Sequence, residues 1–327
     1  MKKYNVDIVG IGDPFLDLVT HIEMLPKSNT NCKMHSHCFQ GGGVVATALV
    51  AAARLGLKSA LVGSVGDDLF GKLSLSDLKY NKVDVSFMKV AEGKKSNFSV
   101  CLTEQAIGGK EFIVYTGNAD EVSPNELDEE LIKSAKIVHC GLMNDTAIKA
   151  CELIHLVGGK VSIDAPYFRE HVYNNYKHYD IFICSEMYYE QMCKELNLDA
   201  TAYEQNLKLI QAQGPDIVIA TFGEKGSKGV YGDNYLDVPA YSVKAVDTTG
   251  AGDVFHGAFD YFYLQGMSVE DCIRYSSAVS AIKCTRPGGR AGIPTVDVVE
   301  KFIKTGEIDY SEIDTRVAHY QGEVIEI

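Results

Sequence analysis

Short apolar runs recur along the chain, at Val6 to Val9, Ala60 to Val62, Ile137 to Cys140, Val161 to Ile163, Ile181 to Cys184 and Ile217 to Thr221, and this recurrence is the strongest constraint on the fold. Each run has the length of a strand buried on both faces, and the last four are each followed by a polar or glycine-containing turn and a helical stretch. Strands that alternate with helices pair in parallel and cover both sheet faces with helices, so the rhythm predicts a doubly wound α/β core. The first run, ending at Gly10 and Gly12, reads as an edge of that sheet. Ala46 to Leu55 is apolar almost all round and is closed by Gly56, which predicts a buried helix with a glycine C-cap. Asp67 and Asp68, ahead of Leu69, put negative charge at the start of the next helix.

Two stretches break the rhythm. Leu16 to Phe39 alternates with His, Asn, Lys and Cys, the pattern of a half-exposed sheet, and Phe98 to Thr103 with Phe112 to Thr116 predicts a hairpin across Gly108-Gly109-Lys110. Residues of about 14–40 and 95–118 are expected to form one small β lid on a single domain spanning 1–327. No repeat, linker or low-complexity tract divides the chain, and the acidic tail Glu307 to Ile327 carries one weak helical pattern.

Composition narrows the function classes. A net charge of -13, from 44 acidic and 31 basic residues, repels nucleic acid and anionic lipid alike. No stretch reaches the roughly 20 apolar residues of a membrane helix, and Asp7 stands where a signal peptide would continue its apolar run. The expectation is a cytoplasmic protein with neither nucleic acid nor membrane as partner. The 9 cysteines are odd in number and scattered, which reads as reduced, buried thiols. Cys32, His35, His37 and Cys38 form the one local group that suggests a metal, but the alternation of a strand would turn both His away from both Cys.

Chemistry concentrates in Val246-Asp247-Thr248-Thr249-Gly250-Ala251-Gly252-Asp253-Val254-Phe255-His256. Gly250 to Gly252 let backbone N–H groups approach an anion, and a helix starting near Asp253 adds its positive end. An ionised Asp253 there is placed to take a proton from a hydroxyl while the hole stabilises a transferring phosphoryl group. The same residues also suit a tight turn with Asp253 as an N-cap, and the fragment alone leaves the two readings open. No GxxxxGK[ST] pattern occurs, so P-loop chemistry is excluded.

Asp247-Thr248-Thr249-Gly250-Ala251-Gly252-Asp253 resembles the C-terminal signature of the ribokinase-like, or PfkB, carbohydrate kinases. Gly41-Gly42-Gly43 with Ala46 to Gly56, followed by Gly63 to Gly71, resembles their N-terminal signature, and the likeness spans roughly residues 6–300. The resemblance implies a ribokinase-like α/β fold, a doubly wound mainly parallel sheet with a small β-sheet lid, acting on a sugar and ATP with Mg2+ and, as a candidate, K+. Carried over by motif position, Asp253 would be the catalytic base, with Gly250, Ala251 and Gly252 as the anion hole. Asp17, in Gly12-Asp13-Pro14-Phe15-Leu16-Asp17, would hold sugar hydroxyls, Asp13 being favoured as a turn residue. Gly42 and Gly43 would touch the sugar through the backbone, and Thr47 stands where many members have Asn.

For the nucleotide, the resemblance implies Thr221, Gly223 and Gly226 beside the phosphates, in what reads as a strand-to-helix turn. Lys283 and Gly288 fall in the segment that wraps the adenine, where Arg286 and Arg290 read equally as exposed loop residues. Asp247 and Thr249 are the candidates for a monovalent cation. The family's Asn-x-x-Glu element is here Ser185-Glu186-Met187-Tyr188, which leaves Glu186 or Glu190 and, separately, Asp164 as candidates toward Mg2+.

The closing block Asp247 to Pro294 looks most similar to kinases of the sulfofructose kinase type, whereas the sugar-facing loops diverge more freely. The substrate stays open among fructose-like, ribose-like and sulfonated sugars, with Lys27, Lys33, Lys94 and Lys95 as the lid cations a sulfonate would need. A nucleoside kinase, with Phe15, Phe39 and Phe98 stacking a base, is the alternative, as is a catalytically silent sugar-binding protein. A dinucleotide oxidoreductase is disfavoured because Pro14 and Phe15 stand in place of its third glycine. The strand-rich lid has edges that suit a homodimer.

Overall fold

A computed structural model describes residues 3–104 and 110–322. The main sheet is built from β1 (Ile8–Ile11), β4 (Ser59–Gly66), β5 (Val83–Asp84), β6 (Met88–Ala91), β9 (Ile137–Cys140), β10 (Lys160–Ala165), β11 (Ile181–Ser185), β12 (Ile217–Thr221), β13 (Ser227–Tyr231) and β14 (Asn234–Val238). Its order is β14-β13-β12-β11-β10-β9-β1-β4-β5, with β6 also on β4. All pairings from β12 to β5 are parallel, and the β12-β13-β14 end is antiparallel.

Period-2 alternation within the strands explains the two-sided core. Ile8, Ile181, Ile183, Ile217 and Ile219 join one apolar cluster, while Val9, Ile11, Phe182, Cys184, Val218 and Ala220 join the other. Helices Val44–Leu55, Ala251–Leu264 and Val269–Cys284 cover the first face, and Asp145–His155 and Glu186–Glu195 the second. The helix Val44–Leu55 ends on Gly56 as its sequence requires, and Asp68 caps Leu69–Tyr80 by accepting the Gly71 N–H at 3.0 Å.

Two expectations are corrected. The opening strand is not an edge: β1 lies between β9 and β4, which is why its four residues are all buried and apolar. The segment after Thr221 does not enter a helix but passes through a short turn, Gly223–Lys225, into the antiparallel hairpin β13-β14. Tyr231-Gly232-Asp233-Asn234, with Gly232 at φ +55°, supplies the turn residues of that hairpin.

The remaining strands, β2 (Phe15–Ile22), β3 (Met34–Gly42), β7 (Phe98–Glu104) and β8 (Lys110–Tyr115), form a separate four-stranded sheet in the order β3-β2-β7-β8. β2 pairs antiparallel with β3 and parallel with β7, so the two segments read as a lid meet along β2 and β7. Gly108 and Gly109 of the expected hairpin lie outside the described residues. Cys32 precedes β3 rather than lying in it, and among the described residues no group of three or more His, Cys, Asp or Glu is arranged to hold a metal ion. Also among the described residues, no helix is long and apolar enough to cross a membrane.

Candidate active site between the two sheets

The helix that carries Asp253 begins at Ala251, with Gly250 as its N-cap at φ 68°. That left-handed backbone favours glycine, and the space is closed as well, since a Cβ there would lie 3.2 Å from the Gly289 Cα and 3.5 Å from the Thr47 Cγ2. Asp253 is therefore the third residue of the helix and not its cap, and it is half-buried. The Ala251 N–H is donated to the Thr248 carbonyl at 3.2 Å, so the first-turn donors left to an anion are those of Gly250, Gly252 and Asp253. At Gly252 a Cβ would meet nothing within 4 Å, which marks the open side of the turn.

Loss of hydration pushes the Asp253 carboxyl up to about 7, helped by the charge of Asp164, while His256 and Arg290 pull the other way. Asp164, next to last in β10 at the carboxyl end of the sheet, pairs with the His256 Nε2 at 3.2 Å. His256, one helical turn beyond Asp253, is itself held above its ordinary value: burial lowers it, and the carboxylates of Asp164, Asp260 and Asp253 together more than offset that. A half-buried carboxyl that ionises near neutrality at a helix N-terminus is suited to accept a proton from an alcohol.

Across the gap, Asp17 on β2 accepts a 2.6 Å hydrogen bond from the Ser99 hydroxyl on β7. Burial raises the Asp17 carboxyl, with Ser99 and Arg290 opposing. Gly42, at the end of β3, lies against this carboxylate so closely that any Cβ would collide with it. Gly43 caps Val44–Leu55 at φ 89°, and its carbonyl accepts the Thr47 N–H at 2.9 Å. The Thr47 hydroxyl accepts from the Arg290 Nε at 3.3 Å and thus faces protein. Asp13 behaves as a turn anchor, accepting the Ser64 N–H at 2.6 Å.

Several expected residues take other roles. Lys283 turns inward, 0% exposed, its ammonium donating to the carbonyls of Asp247, at 3.0 Å, and Thr249. The Asp247 carboxylate accepts the N–H groups of Thr249 at 2.8 Å and Gly288 at 2.7 Å, so Gly288 anchors the loop. Glu186, at the start of its helix, is paired with Lys225 at 2.7 Å. Thr221 ends β12, its hydroxyl donating to the Cys184 carbonyl at 3.3 Å, and Gly223 and Gly226 take φ of 57° and 90° in the turn that follows. Thr221, Glu186 and Asp164 thus share the carboxyl ends of adjacent parallel strands, the usual place for a ligand in such a sheet.

The sequence reading missed Ser99 and the hub at Arg290. Arg290 is 0% exposed and donates to Asp77, the Gly42 carbonyl at 2.8 Å and Thr47, while Gln40 accepts the Arg290 N–H at 3.1 Å. Arg286, by contrast, stays near the surface against Asp314 at 2.6 Å. No local pattern separates the two arginines, because the partners of Arg290 lie far away in the chain.

Comparison with known proteins agrees with this architecture. The model of the pfkB family of carbohydrate kinases matches residues 7–296. A nucleoside kinase of Methanothermobacter thermautotrophicus is 26% identical over 303 residues, covering 90% of this chain and 95% of its own length. A probable fructokinase-3 of Arabidopsis thaliana is 29% identical, covering 91% of both chains. Among solved structures, an Arabidopsis thaliana ribokinase complexed with ribose and ATP superposes with a TM-score of 0.79 at 23% identity, covering 92% of this chain and 99% of its own, which shows the shared fold. A protein from E. coli solved with ATP and Mg2+ superposes with a TM-score of 0.78 at 22% identity over 91% of this chain and 99% of its own. With a family match that takes in both sheets and both glycine-rich turns, the chain belongs to the pfkB family of carbohydrate kinases and is a kinase of the sugar and nucleoside class.

Proposed function

We propose that the protein transfers the terminal phosphoryl group of ATP to a hydroxyl of a small sugar, a ketose or pentose, with Asp253 as general base. The observation that carries this reading is the Asp253 carboxyl, pushed up to about 7 at the first turn of a helix where the Gly250, Gly252 and Asp253 N–H groups are left to an anion. Asp17, oriented by Ser99, offers the acceptor oxygens for sugar hydroxyls, with the Gly42 and Gly43 backbone beside it. The sugar hydroxyl gives its proton to Asp253 as its oxygen attacks the phosphorus, and the N–H groups of Gly250 and Gly252 stabilise the charge on the transferring group. Thr221, Gly223 and Gly226 line the strand ends where the ATP phosphates would run. Closure of the small sheet over the sugar would exclude water and limit ATP hydrolysis.

Mg2+ bound to ATP keeps most of its water and needs few protein oxygens. Asp164 and Glu186 each already have a partner, His256 at 3.2 Å and Lys225 at 2.7 Å, but Asp164 is the one whose charge opposes ionisation of Asp253, which suits a cation nearby. Asp164 is the carboxylate that would reach toward the ion, which when bound neutralises phosphate charge.

For a base-stacking nucleoside, Phe98 is already stacked on Phe70 with centroids 4.4 Å apart, which favours the sugar reading. Among the described residues, the four lid lysines do not form a built site for a sulfonate: Lys27, Lys33 and Lys95 are exposed, and Lys94 pairs with Asp120 at 3.5 Å. The exposed Phe112, Ile113, Val114 and Tyr115 of edge strand β8 suit a homodimer through the lid, which a single-chain mass by light scattering would refute. The 9 free thiols suit a reducing cytoplasm.

The deciding experiment is ADP release with Mg-ATP over a panel of ketoses, pentoses, sulfonated sugars and nucleosides, with Asp253→Asn alongside. One sugar should turn over, and the variant should lose on the order of 10² to 10⁴ in rate while still binding that sugar. Undiminished turnover in Asp253→Asn would refute the base, and turnover confined to nucleosides would refute the sugar.

A further inference from the structure

The loop that leads into the anion hole rests on a positive charge supplied by the chain itself. Lys283 projects from the last turn of Val269–Cys284 into a fully buried position, and its ammonium donates to the carbonyls of Asp247 and Thr249. Carbonyl oxygens converging inside a protein are the donor type that holds a hard, hydrated cation. Here that place is taken by a covalently attached ammonium.

The peptide unit explains what the contact does. A trans peptide is planar, so a carbonyl and the next residue's N–H point in opposite directions. Drawing the Thr249 carbonyl toward Lys283 therefore turns the Gly250 N–H away from the ammonium, toward the side where the first-turn donors face. The Asp247 carbonyl fixes the Thr248 N–H in the same manner. From its side chain, Asp247 also holds the N–H groups of Thr249 at 2.8 Å and Gly288 at 2.7 Å, so the loop is gripped at its carbonyls by Lys283 and at its amides by Asp247. With its carbonyls committed, the peptide before Gly250 cannot flip without breaking a hydrogen bond to a buried charge.

We propose that Lys283 is a tethered replacement for a free monovalent cation: it orients the Gly250 N–H and places a fixed positive charge behind the phosphoryl site. Its effect on rate rests on the kinase reading above, while its effect on cation binding does not. The chain should accordingly work and fold without K+, and removing the ammonium should create a need for it.

The test uses the full chain, as wild type, Lys283→Ala and Lys283→Met, in choline chloride and in KCl at matched ionic strength. Without any substrate, KCl should leave the wild-type melting temperature unchanged within about 1 °C. It should raise that of Lys283→Ala by about 2–5 °C, saturably, once well above the dissociation constant. Lys283→Met, which refills the space with an apolar chain, should not respond. With an accepted sugar, wild-type kcat should be equal in both salts, Lys283→Ala should fall on the order of 10²-fold, and KCl should restore at least a tenth of that loss.

A saturable rise of wild-type melting temperature or kcat with KCl overturns the proposal, and so does a folded Lys283→Ala that ignores KCl in both assays. If that variant does not fold in choline, refolding in KCl supports the proposal and failure in both salts leaves the wild-type salt response to decide it. If no sugar is phosphorylated, the kinase reading fails while the melting arm still decides the cation.

Discussion

Replacing Arg290 by Met should be the most damaging single change away from the reacting groups. The side chain is fully buried and is the cation for Asp77, whose own side chain is 8% exposed. It also satisfies the Gly42 carbonyl at 2.8 Å and the Thr47 hydroxyl at 3.3 Å. Methionine fills much of the volume but leaves a carboxylate without its counter-ion and a strand carbonyl without its donor. Removing one partner of a buried pair costs about 3–5 kcal/mol. The stranded carbonyl would add to this, but Tyr320 still donates to Asp77 at 2.7 Å, which works against it, so the range stands. At about 2 °C per kcal/mol for a chain of this size, the melting temperature should fall by about 6–10 °C. Urea denaturation followed by circular dichroism would give the free energy directly, with an unchanged slope if the unfolded state is unaffected. The double variant Arg290→Met with Asp77→Leu should lose less than the sum of the singles, because the second change removes the orphaned charge. A loss below about 1 kcal/mol for Arg290→Met, or strict additivity in the double variant, would refute the reasoning.

Two further outcomes follow from the site. A base must be ionised to act and Asp253 ionises only near 7, so kcat/KM should be low in acid and rise with pH through that region; Asp164→Asn, which removes a charge opposing ionisation, should move the rise to lower pH, and a flat profile from pH 5 to 8 would contradict it. Asp17→Ala should raise the sugar KM at least tenfold and leave ATP binding within about twofold by calorimetry, since its oxygens face the small-sheet side; equal loss of both would show the position is misassigned.

What was legible in the sequence was local. Apolar runs such as Ile181 to Cys184 reveal their strands because every residue of a two-sided strand must be buried, and Gly56 and Asp68 mark helix ends through backbone needs that only certain residues meet. The hairpin after Thr221 was missed although its turn residues were present, because the preceding rhythm of strand and helix argued for another helix. The fate of the basic residues near the C-terminal signature was not legible at all. Lys283 and Arg290 are both basic and lie in one glycine-rich stretch, yet Lys283 takes the carbonyls of Asp247 and Thr249, 36 and 34 positions away, while Arg290 takes Asp77, 213 positions away, and Gly42, 248 positions away. A charge can be buried only where distant segments happen to converge, and one sequence does not display that convergence.

The parallel pairing of β2 with β7 sets the order in which the sugar side of the site can come into being. Each of these strands has a neighbour close in sequence, β3 for β2 and β8 for β7, but the contact between Asp17 and Ser99 joins positions 82 residues apart. During synthesis at about 5–20 residues per second, β2 emerges with an unpaired edge and waits roughly 4–16 s for its partner strand to appear. Over that interval the nascent chain presents a bare strand edge that a holdase chaperone or another nascent copy can capture, so the yield of active enzyme should depend on translation speed across residues 23–98.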